Sequence, residues 1–152
     1  MITLPPIPSW DALHPLVVHF PIALLLTAPV FVVIGAIRGA VKGRPYFMAA
    51  LVLMALGTAG AWVAVATGDA AEEQVQENAQ TRAALEQHQN LGEATRLAFT
   101  ILTALFAALV FALGLDRNAT RSVSTIAAVA FLALYAAGSV LLANTSHQSV
   151  NS

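Results

Sequence analysis

The apolar positions of this chain fall in four long blocks separated by polar stretches, without the two-residue alternation of a barrel strand. The blocks run from Pro15 or Leu16 to Ile37, from Pro45 to Thr67, from about Leu97 to Leu115 and from about Val123 to Ala143. Each holds roughly 20 residues, enough for an α-helix to cross a bilayer's hydrocarbon core. Backbone groups in lipid must be satisfied within their own segment, so the blocks are predicted as helices. Proline at the first helical position opens the second block at Pro45, and Gly68 closes it. The third is expected to reach outward from about Thr81, through an acidic connection over residues 68–96. The predicted fold class is all-α: an integral membrane four-helix bundle, a single domain over residues 1–152. Gly57, Ala61, Ala127, Ala128, Ala136, Ala137 and Gly138 supply small faces for close helix approach and are read as packing.

Composition strengthens the membrane assignment and removes several functions. Apolar residues make up 58% of the chain and charged ones 10%, whereas a soluble domain is about a quarter charged. A net charge of −1 gives no basic surface for nucleic acid. The chain has no cysteine, which excludes disulfides, thiolate-held iron–sulfur clusters and haem attached through a Cys-x-x-Cys-His motif. Ser9, Asp11 and His14 lie near one another in sequence, but no nucleophile elbow or oxyanion loop accompanies them, so hydrolase chemistry is poorly supported.

Charge placement sets an orientation. Arg38, Lys42 and Arg44 lie between the first two blocks, and Arg117 and Arg121 between the last two. The connection from Gly68 to Arg96 has only Arg82 and Arg96 against Asp69, Glu72, Glu73, Glu77, Glu86 and Glu93. The positive-inside bias puts both short loops in the cytoplasm and both termini outside, in the periplasm of a Gram-negative host. Met1 to Leu13 lacks the basic n-region of a cleaved signal peptide, so the first helix is expected to stay in the mature protein, a multi-pass protein of a bacterial inner membrane. Trp10 and Tyr46 read as interface anchors.

This orientation gathers the histidines. His14 and His19 open the first helix, His88 precedes the third block and His147 follows the fourth, so all four fall on the outer side. Ionisable groups at a membrane edge are costly and commonly functional. Pro21 and Pro29 remove the donors for the carbonyls of Val17 and Leu25, which should kink or loosen the first helix beside His19. His14, before Pro15, is expected just outside the first turn. Gly92, four residues after His88, should leave a shallow hollow on the same face in which a planar ligand could lie. Counted from Leu97, His88 would stand about 13 Å outside the apolar boundary, with His19 slightly inside it.

The string His14-Pro15-x-x-Val18-His19-Phe20-Pro21-Ile22-Ala23-Leu24, the Ala66-Thr67-Gly68 close of the second helix and a histidine opening the third resemble an uncharacterised bacterial membrane-protein family, domain of unknown function 2231. The likeness spans nearly the whole chain, and the family's histidine near the start of helix three matches His88. Relatives fused to Rieske or c-type cytochrome modules imply redox work at the outer face.

Three readings compete. In the leading one, two neutral imidazoles from different helices, His19 and His88, hold haem b, with His14 as a supporting donor or alternative ligand and Arg82 and Arg96 meeting the propionates. The protein would then carry electrons, not make bonds, and exchange them with an outer-side cytochrome c, a Rieske protein or a quinone. Homo-oligomerisation stays open. In the second, zinc or copper(II) is bound by His14, His88 and His147 with Asp69 or Glu72, although no His-x3-His or His-x2-Glu pair puts two donors on one helix face. In the third the protein is a scaffold or assembly subunit, and the histidines are interface residues.

Overall fold

The computed structural model describes residues 10–72, 79–115 and 121–150, all helical. Ser9, Glu73, Glu77 and Arg117 lie outside the described residues, as do the side chains of Trp10, Asp11, His14, Asp69, Glu72, His88, Arg121 and His147. The first helical stretch, Trp10–Glu72, is broken at Gly39, whose φ of 80° and ψ of 174° suit glycine because a Cβ would clash there. We label its two arms α1 (residues 10–38) and α2 (residues 40–72); α3 is Ala79–Leu115 and α4 is Arg121–Val150. These four helices form the all-α membrane bundle that the hydrophobic blocks predict, and three of them carry spans long and apolar enough to cross a bilayer: His19–Gly39, Val41–Gly68 and Gln89–Ala112.

Several boundaries differ from the sequence expectation. α1 begins at Trp10, so His14 and Pro15 lie within it, not ahead of it. The chain turns at Gly39, ahead of Pro45, because only glycine among residues 38–44 meets the backbone angles of the break. Much of the expected connection over 68–96 is helical: Ala70, Ala71, Ala79, Gln80, Ala83, Ala84 and Glu86 are strong helix formers, so α2 and α3 run beyond the apolar spans. Backbone angles stay helical through Pro21 and Pro29, and Gly39 alone departs within the stretch.

Glycines bring α1 and α2 together. A Cβ on Gly43 would fall 2.1 Å from the Gly35 carbonyl oxygen, and one on Gly35 2.8 Å from the Phe47 ring. Further along, a Cβ on Gly57 would meet Leu25 at 2.7 Å and one on Gly60 would meet the Pro21 ring at 3.1 Å. These pairings are antiparallel, and they seat the buried Pro21 in a groove of α2. The core joins all four helices through Val32, Phe47, Ala50, Met54, Phe106, Ala128, Phe131 and Tyr135. Phe106 stacks on Phe131 with centroids 4.6 Å apart, and Phe99 meets Tyr135 edge-on at 5.5 Å.

Pro29 cannot donate to the Leu25 carbonyl, and the buried Tyr135 hydroxyl of α4 donates to that oxygen instead. Tyr135→Phe should therefore cost about 1–3 kcal/mol, the penalty of stranding a buried acceptor. In a Pro29→Ala background the helix regains its own donor, so the same change should cost much less; unfolding measurements on the four members of this cycle test it, and equal costs would exclude the link.

Candidate functional site

The helices neighbour one another in a ring. α1 meets α2 at Pro21 and Gly57, α2 meets α3 at Trp62 and Thr100, α3 meets α4 at Phe99 and Tyr135, and α4 returns to α1 at Leu25. α1 and α3 thus stand opposite each other, and antiparallel order puts the starts of α1 and α3 and the closes of α2 and α4 at one end. His14, His19, Asp69, Glu72, His88 and His147 all belong to helix segments at that end.

Register sorts the histidines. Gly60 lies against Pro21, and Gly92 against Val65. Continued outward at 1.5 Å per residue, these pairings set positions 14 and 88 against the same stretch of α2, about residues 67–70. The Tyr135 pairings with Leu25 and Phe99 carry both positions to about residue 146 of α4, beside position 147. Positions 14, 69, 88 and 147 therefore lie toward the same end of the bundle, one on each helix.

Faces sort them further. Val32, fully buried, lies 18 residues or five turns after position 14, and Phe106, 1% exposed, lies five turns after position 88. Position 14 is thus in helical phase with Val32, and position 88 with Phe106. Five turns after His19 comes Ile37, 65% exposed, and His19 is itself exposed. Five residues, about 140° around the helix, separate position 14 from His19, so the two are out of phase.

The remaining candidates spread out. A Cβ on Gly92 would touch Val65 at 3.4 Å, so α2 faces the hollow expected there. Arg82 is exposed near the start of α3. Arg96 lies on the α2–α3 seam, its guanidinium 4.2 Å from the centre of the Trp62 ring and its Nη2 donating to Glu93 Oε1 at 3.1 Å. Trp62 Nε1 donates to Thr100 Oγ1 at 3.0 Å, and Thr100 Oγ1 donates to the Arg96 carbonyl at 2.7 Å. One turn inward the hydroxyls of Thr58 and Thr103 share a bond of 2.9 Å. Sequence reasoning misses Trp62, Thr58, Thr100 and Thr103. The available signal is Arg96, a cation at the edge of an apolar stretch that calls for a partner on the neighbouring helix.

Residues 10–148 match the family described as a predicted membrane protein, DUF2231. The chain belongs to this family. Neither a curated protein nor a solved structure matches it. The DUF2231 match takes in every helix and all four histidines, so the end of the bundle just described lies wholly within the family's extent.

Proposed function

We propose that this DUF2231 protein is an electron carrier that holds haem b at one end of its bundle, with His14 and His88 as axial ligands. The observation that supports the reading is that positions 14 and 88 lie toward the same end of the bundle, on α1 and α3, in helical phase with buried Val32 and Phe106. Bundles place cofactors between facing helices in this way, and two imidazoles suit a b-type iron. The exposure of His19 and the phase of position 14 support His14 over the His19 expected from sequence. Without cysteine, attachment is by coordination and burial alone. When bound, the haem supplies one-electron transfer; the chain holds the iron, shields it with the apolar core behind, and offers Arg82 on the outward side for a propionate.

Arg38, Lys42 and Arg44 near the Gly39 turn favour a cytoplasmic turn and an outer-facing histidine end, in a multi-pass protein of a bacterial inner membrane. Outer-side cytochrome c, a Rieske protein or quinone would then exchange electrons with it. The alternative is a zinc or copper site, supported by His14, Asp69, His88 and His147 lying toward one end of the bundle with one donor per helix, and Glu72 one turn beyond Asp69. An absorption spectrum with metal analysis, on protein from haem-replete cells, separates these readings. A Soret band that shifts on reduction is expected. A colourless sample with one zinc or copper per chain would favour the alternative, and one with neither would leave the scaffold role.

A further inference from the structure

We propose that the α2–α3 seam at Arg96 is a binding site for the phosphate of an anionic membrane phospholipid. Arg96 directly precedes the apolar stretch that begins at about Leu97, at the edge of the span, where a cation can meet a lipid headgroup. Helical side chains lean toward the N-terminus, and the bond to Glu93 shows that the guanidinium reaches back toward the boundary. Trp62 forms a shelf beneath it, fixed by the bond from its N–H to Thr100. The cation is well held but incompletely neutralised. Its side chain is 18% exposed, its buried Nε has no partner among the described residues, and the carboxylate it meets, Glu93, is 60% exposed.

A phosphate could displace Glu93 and take the Nε and Nη2 donors together, the two-point geometry guanidinium offers to phosphate. The surroundings point to a lipid as its source. Leu97, Ile101 and Leu105 form an exposed apolar ridge at four-residue spacing, running inward along α3 from beside Arg96. That ridge suits an acyl chain below a headgroup held at the boundary. Trp62 is 43% exposed and provides a reporter beside the site.

Trp10→Phe leaves Trp62 as the sole tryptophan. In phosphatidylcholine vesicles containing a small fraction of acceptor-labelled lipid, energy transfer from Trp62 should be stronger to labelled phosphatidylglycerol than to labelled phosphatidylcholine. Arg96→Gln should reduce that preference about fivefold, the weight of one arginine at an anionic surface. Glu93→Gln should increase it, because the competing carboxylate is gone. Equal transfer to both lipids, an unchanged preference in folded Arg96→Gln, or a weaker one in Glu93→Gln would overturn the proposal. Loss of the preference on adding inorganic phosphate would also overturn it, by assigning the site to a free anion. If Arg96→Gln does not fold, the Glu93→Gln comparison decides.

Discussion

His88→Ala should yield a folded membrane protein without a Soret band, and His14→Ala should do the same, whereas His19→Ala should keep the colour. The contrast rests on helix geometry. Positions 14 and 19 are five residues apart, about 140° around the helix, and cannot share a face. Position 14 is in phase with buried Val32, and His19 with exposed Ile37. Removing either axial imidazole leaves a single ligand on an iron held without thiolates, so near-complete loss of haem is expected from each change. Added imidazole should restore part of the band in a folded His88→Ala protein, which distinguishes a vacant coordination position from a collapsed bundle. Loss of colour in His19→Ala with retention in His14→Ala would reverse the assignment and require the start of α1 to be rotated. His147→Ala, if haem is the cofactor, should have little effect; a bound metal lost in that variant would instead favour the four-helix metal site.

Gly43→Ala should destabilise the protein by about 2–4 kcal/mol, among the largest effects of a single methyl group in this chain. The added carbon would lie 2.1 Å from the Gly35 carbonyl oxygen and 2.9 Å from its carbon, both backbone atoms, so no rotamer change relieves the overlap. α1 and α2 must move apart at the Gly39 turn, and the packing of Phe47 against Gly35 loosens with them. Gly92→Ala is the matched control. There the new methyl would meet the Val65 side chain at 3.4 Å, an ordinary contact, and alanine is the better helix former by up to about 1 kcal/mol. Thermal unfolding in one detergent should show a clear fall for the first variant and none for the second. Equal melting temperatures would mean that the close helix approach at Gly43 is not maintained in solution.

The contrast between His14 and His19 also shows where sequence reading stops. The four helices, the membrane setting and the gathering of histidines at one end are legible from block lengths, prolines and charge placement. The inner face of α1 is not, because Val32 and Ile37 are equally apolar although one is buried and the other exposed. In water the hydrophobic pattern separates core from surface; in lipid both sides of a helix are apolar, and that information is absent. The same reason hides Trp62, whose meeting with Arg96 depends on the register between α2 and α3. Gly39 escapes notice for a different cause: Pro45 offers a familiar helix start, while the actual turn depends on the backbone angles of one residue.

The bond from Tyr135 to the Leu25 carbonyl bears on how the protein is made. α1 and α2 can close on each other through their glycines as soon as both have been synthesised, but that hairpin carries an oxygen that Pro29 has left without a donor. Hydrocarbon offers it none. α4, made after the other three helices, brings the hydroxyl that fills the gap. The α1–α2 hairpin by itself therefore carries an unmet acceptor until α4 docks, which makes that docking the step that completes its backbone hydrogen bonding.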